Sequence, residues 1–108
     1  MRRFTFRIGN VVWRFLGRKG KIKFFDATTQ RSVSRDGCCD LSGTKNPAIR
    51  INLDADPDWL LELVLHEYTH AGLPYLDEQV VTDFAKGATE MLTKLGYTRT
   101  IQTPRQAG

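Results

Sequence analysis

The hydrophobic pattern changes period once along this chain. Phe4, Phe6 and Ile8 alternate with Thr5 and Arg7, the period of two expected of a strand with one buried face. Gly9-Asn10 is a turn signal, and Val11 to Leu16 returns as the second arm of a hairpin. Gly17 to Gly20 punctuates again, and Lys21 to Phe25 predicts a third strand with Ile22 and Phe24 on one face. Thr28 to Gly37 is polar and reads as loop or irregular edge; Asp40 to Pro47, rich in Ser, Gly, Thr, Asn and Pro, reads as loop. Ala48 to Leu53 is a clearer strand, with Ile49, Ile51 and Leu53 on one face and Arg50 and Asn52 on the other.

Beyond Leu53 the pattern is helical. Asp56 suits an N-cap, and Pro57 stands at the first helical position, where a missing N–H costs nothing. Asp58 and Glu62 favour the positive end of the helix dipole. Leu60, Leu61, Leu63, Val64 and Leu65 make this helix apolar almost all round, which predicts burial, and Gly72 with Pro74 ends it. A second helix is expected from about Asp77 to Leu95, with Val80, Val81, Phe84, Ala85, Ala88, Met91, Leu92 and Leu95 as its apolar stripe and Gly96 as its stop. Strands followed by helices make the expected class α+β. At 108 residues the chain is expected to be one domain, residues 1–97, with a loosely docked or unstructured tail at 98–108.

Charge and composition narrow the setting. No stretch is apolar and long enough to cross a membrane, so no membrane partner is expected. Met1-Arg2-Arg3 hints at a signal-peptide start, but Arg7 and Arg14 interrupt the apolar run that should follow. Two adjacent cysteines, Cys38 and Cys39, make no disulfide framework and fit a reducing compartment, so a cytoplasmic protein is expected, as a monomer. From Arg2 to Lys23 every charged side chain is basic, whereas Asp54 to Glu90 is mostly acidic. A basic end of this kind suits nucleic acid or an acidic partner, although a solvated basic face is the commoner meaning of such a cluster.

The chemistry concentrates at His66-Glu67-Tyr68-Thr69-His70. Residues four apart lie on one helix face, so the two imidazoles can grip one metal ion, and Glu67 is rotated close enough to reach a water on it. On an apolar helix two imidazoles and a carboxylate are costly unless something satisfies them, and a divalent cation does so. These are the only histidines in the chain, which leaves a carboxylate or a cysteine as third ligand. Asp83, Lys86, Glu90 and Lys94 fall on the polar face of the second helix. Asp77 and Glu78 lie at its inward border; Asp77 also suits an N-cap, and the longer Glu78 is the freer of the two. Zinc in such a site acidifies a water and polarises a carbonyl, with Glu67 as general base, and the expected reaction is hydrolysis of a peptide or protein substrate. If the strand Ala48–Leu53 lies at the sheet edge, Ile49, Arg50 and Ile51 would meet an extended peptide; an ordinary buried strand is the alternative. Of the three tyrosines, Tyr75, just after the metal helix, is the candidate to assist an oxyanion.

Across most of its length the chain resembles the minigluzincins and similar small phage and prokaryotic HExxH proteins. The likeness rests on a hairpin containing Trp13, on Gly37-Cys38-Cys39-Asp40, on Ile49 and Ile51, on Leu65 to Ala71, and on Leu76-Asp77-Glu78 before Val81, Ala85 and Leu92. It implies a minimal zincin-like fold, a small sheet packed on the active-site helix, with Glu78 on the next helix as third ligand. It also implies a peptidase, which the segment Thr98–Gly108 would hold latent if it occupied the cleft. Tyr68-Thr69 departs from the aliphatic residues commoner there. Two other functions compete: a catalytically silent, metal-stabilised interaction module, with a viral origin open to it, and a DNA-associated protein using its basic N-terminal segment.

Overall fold

A computed structural model describes residues 1–40 and 47–97. The strands are β1 (Arg2–Ile8), β2 (Val11–Arg18), β3 (Ile22–Asp26), β4 (Arg31–Arg35), β5 (Gly37–Asp40) and β6 (Ala48–Asn52), and the helices are α1 (Pro57–Gly72) and α2 (Glu78–Lys94). The α+β class expected from the change of period is the class observed. The expected tail at 98–108 lies outside the described residues.

A four-stranded mixed sheet has the order β1-β2-β6-β5, with β2 and β6 parallel and the other neighbours antiparallel. The first hairpin closes through two residues, Gly9-Asn10, between the paired Ile8 and Val11. Gly9 takes φ +58°, the conformation a two-residue hairpin turn asks of its first position. Strands β3 and β4 form a separate hairpin.

Residues 28–37 differ from the expected loop: they contain all of β4 and the start of β5. Arg31-Ser-Val-Ser-Arg35 carries a single apolar residue, so no alternation could announce it, and its pairing partner β3 supplies the order.

Helix α1 packs on the face of the sheet that carries Trp13, Phe15, Ile49 and Ile51, and Leu60, Leu63 and Ala71 complete the core. Its N-cap is Asp56, whose side chain accepts from the Asp58 N–H. It is less enclosed than its composition predicts, with Leu61, Val64 and Leu65 half-buried and Trp59 and Tyr68 exposed. Helix α2 lies against α1 through Val81 and Ala85, both fully buried. The expected wide apolar stripe is therefore corrected: Val80, Phe84, Met91 and Leu95 are exposed. A helix packed mainly on one other helix covers only a narrow strip of its own surface.

Asn52 holds the parts together. It is buried, and its Oδ1 accepts from the Gly20 and Asp54 N–H groups while its Nδ2 donates to Asp36 Oδ1. One side chain thereby ties the approach to β3, the corner between β4 and β5, and the end of β6.

Candidate metal centre

His66 and His70 lie one turn apart on α1, and their side chains meet one carboxylate from α2. His66 Nε2 is 2.7 Å from Glu78 Oε1, and His70 Nε2 is 2.9 Å from Glu78 Oε2. The two Nε2 atoms are themselves 3.2 Å apart. Among the described residues these three side chains form a group able to hold a metal ion. Asp77 takes the other role left open for it: its Oδ1 caps α2 by accepting from the Val80 N–H. The position that caps and the position that reaches are adjacent, which is why sequence left them undecided. Asp83 is on the outer face, bonded to Gln79.

Two protonation patterns fit this triangle. With both Nε2 atoms protonated, each N–H donates to its own oxygen of the Glu78 carboxylate. With both bare, two ring nitrogens and two carboxylate oxygens converge as lone pairs, and a cation among them takes the place of the protons. The nitrogen separation also suits a four-coordinate ion, since ligands about 2.05 Å from zinc at tetrahedral angles lie roughly 3.3 Å apart.

Glu67, the next residue along α1, is only 7% exposed and lines the same cleft. Burial first, and then the charge of Glu78, push its carboxyl up to about 7, against a smaller lowering by Arg35. Gly37 of β5 lies directly against it.

The cleft runs along the outer edge of β5, between α1 and the β3–β4 hairpin. Arg35 and Phe24 border it from the hairpin, with the guanidinium 5.1 Å from the ring centre. Cys39 packs against the core, and burial followed by the charge of Glu67 pushes its thiol up to about 12; the Cys38 thiol is raised too, again mainly by burial. Neither joins the His66, His70 and Glu78 group.

The sequence-based substrate positions are not brought together. Strand β6 is interior, hydrogen-bonded by β2 on one side and β5 on the other, so it has no free edge. Ile49 and Ile51, at 2% and 0% exposure, belong to the core, because their face is the one α1 covers. Arg50 does border the cleft, but from the opposite sheet face, where Asp40 accepts from its Nε at 3.0 Å. Tyr75 is 79% exposed and is not among the residues lining the cleft. Three residues that matter to the geometry carry no motif: Arg35, Gly37 and Asn52. Gly37 was visible only as part of Gly-Cys-Cys-Asp, and the alternation of β6 set Asn52 with Arg50 on the face opposite Ile49 and Ile51, with nothing to mark its hydrogen bonds. No protein-family model matches the chain, and neither the curated proteins nor the solved structures contain a match.

Proposed function

We propose that this chain is a zinc-dependent peptidase with His66, His70 and Glu78 as metal ligands and Glu67 as general base. The observation that carries the reading is the convergence of two ring nitrogens and both oxygens of one carboxylate, beside a buried carboxylate on the adjacent residue. Zinc bound there would acidify a water and polarise the carbonyl of the bond to be cut. Glu67 would serve as the base that accepts a proton from the attacking water and as the acid that returns it to the leaving amine. Burial raises the proton affinity of this carboxyl above that of an exposed glutamate, which suits a group that must both take and return a proton. A site kept only for structure has no use for such a base.

The binding role that sequence gave to β6 passes to β5. Its outer edge borders the cleft, and among the described residues no strand pairs with it, so an extended peptide can add there through backbone hydrogen bonds. The cleft, about 1170 Å³, exceeds the usual range for small-molecule pockets and gives room for several residues. A small sheet over the HExxH helix, with the third ligand on the following helix, also agrees with the minimal gluzincin arrangement that the resemblance implies.

The test pairs elemental mass spectrometry with a peptide-cleavage assay. About one zinc per chain, with cleavage abolished in Glu67→Gln while zinc is kept, is the expected result. Zinc without turnover on any peptide would leave the metal-stabilised interaction module, and no metal uptake by the folded chain would end both readings.

A further inference from the structure

The face of the four-stranded sheet opposite α1 is rich in arginine. Side chains alternate along a strand, so Trp13, Phe15, Ile49 and Ile51, which meet α1, fix the opposite orientation for their neighbours. In register, Thr5 pairs with Arg14, Arg3 with Leu16 and Arg7 with Val12, while Leu16 pairs with Arg50 and Arg18 with Asn52. Arg3 and Arg7 of β1 and Arg14 and Arg18 of β2 therefore share this face. Arg3, Arg7 and Arg18 are exposed, and Arg14 is half-buried. On the same sheet face, two strands away on β5, Asp40 is engaged by Arg50.

The four stand in a zigzag across two strands, in the order Arg18, Arg3, Arg14, Arg7. Successive α-carbons on such a path are roughly 8 Å apart, from the strand rise and strand spacing. Long arginine side chains at that interval can reach successive phosphates of a nucleic-acid backbone. Thr5, Val12 and Leu16 fill the space between them and the face carries no aromatic ring, so it offers no platform for stacking bases. The opposite layer has the opposite charge: α1 carries Asp58, Glu62 and Glu67 with no lysine or arginine, and α2 carries Glu78, Asp83 and Glu90 against Lys86 and Lys94. Charge is segregated by layer, so an approaching polyanion is steered to the sheet face and away from the helices.

We infer that the exposed sheet face bearing Arg3, Arg7, Arg14 and Arg18 binds the phosphate backbone of nucleic acid without regard to base sequence. This site is separate from the metal cleft, which lies at the far edge of the sheet along β5, and it does not depend on the peptidase reading. It also differs from the cluster visible in sequence: Lys19, Lys21 and Lys23 belong to the approach to β3 and to the hairpin, not to this face.

The experiment is fluorescence anisotropy of the full chain with short labelled single-stranded and duplex DNA of mixed sequence, between about 50 and 200 mM salt. Binding should weaken linearly on a log–log plot with a slope of about −3 for four phosphates on a single strand, and somewhat steeper on duplex. Arg3→Glu/Arg7→Glu should weaken binding by more than about tenfold, whereas Lys19→Glu/Lys23→Glu, the same change of charge off the face, should weaken it only about two- to threefold. Circular dichroism and a melting curve verify that the exposed substitutions leave the fold intact. If Arg3→Glu/Arg7→Glu fails to fold, the milder Arg3→Gln/Arg7→Gln set against Lys19→Gln/Lys23→Gln makes the same comparison, while the wild-type salt slope counts the phosphates engaged. No binding at low salt, equal losses in the two double variants, or tighter binding to vesicles containing phosphatidylserine than to either DNA would overturn the inference.

Discussion

Gly37 rests against the carboxylate of Glu67. A β-carbon at position 37 would lie 3.1 Å from both Cγ and Oε2 of Glu67 and 2.9 Å from Leu63 Cδ1. The absence of a side chain lets the edge strand and the helix approach closely enough to bury the proposed base. The φ of Gly37 is not positive, so space, not backbone conformation, requires glycine here.

Gly37→Ala should therefore displace Glu67 more than it disturbs the metal ligands. We expect a stability loss of about 1–3 kcal/mol, the usual cost of overpacking, in a denaturant melt. Zinc content should stay close to that of the wild type while peptide cleavage falls by more than about tenfold. Equal losses of zinc and activity would mean that the strand, and not Glu67 alone, had been displaced.

The raised carboxyl of Glu67 makes the metal-free protein sensitive to pH with a defined sign. Its folded value, about 7, lies above its ordinary 4.5, because burial and then Glu78 disfavour the anion. The folded state thus binds this proton more tightly than the unfolded chain. The stability it contributes is complete below pH 4.5 and is lost as the pH rises to about 7. Over that window the loss is on the order of 3 kcal/mol. Metal-free Glu67→Gln should lack it and, by denaturant titration, should be more stable than the wild type at pH 8 but not at pH 4. Parallel pH profiles for the two proteins would show that the carboxylate finds compensation in the fold.

Asn52→Ala should be more damaging than its place on an alternating strand suggests. It removes two acceptor contacts and one donor contact from a buried position. Leaving the Gly20 and Asp54 N–H groups without that oxygen should cost about 2–3 kcal/mol in urea unfolding. Asn52→Asp, which keeps the acceptor oxygen but sets a second anion beside Asp36, should not restore stability.

The helices were more legible in the sequence than the sheet. Asp56, Pro57, Gly72 and Gly96 mark helix ends through local chemistry, and the observed bounds follow them. The histidine pair was legible for the same reason, since a spacing of four on a helix fixes a shared face. Strands β4 and β5 were not, because Arg31–Arg35 and Gly37–Asp40 carry too little apolar alternation to announce themselves and are ordered by the strands they pair with. The same limitation misplaced the substrate edge: the alternation of Ile49 and Ile51 identifies a strand, but only the sheet order shows β5, not β6, at the border of the cleft. Half of the apolar stripe on α2 was misread because periodicity gives a direction to a helix face and not the breadth of what covers it.

Asp77 and Glu78 are adjacent carboxylates with separable work, and exchanging their losses tests the metal site most directly. Asp77 Oδ1 receives the Val80 N–H at 2.9 Å, so Asp77→Ala removes an N-cap and should cost about 1 kcal/mol of stability. The carboxylate of Glu78 remains in place, so zinc content should change little. Glu78→Ala leaves the cap but removes both oxygens that face the imidazoles at 2.7 and 2.9 Å. Zinc affinity should then fall by more than about a hundredfold in a chelator competition assay, a loss greater than the 10–100-fold typical of an outer-shell partner. Glu78→Gln should lose much of that affinity as well, because an amide offers one neutral oxygen where the carboxylate offers a charge and two. If instead Asp77→Ala loses the metal and Glu78→Ala keeps it, the carboxylate facing His66 and His70 is a hydrogen-bond acceptor only and the ligand assignment fails.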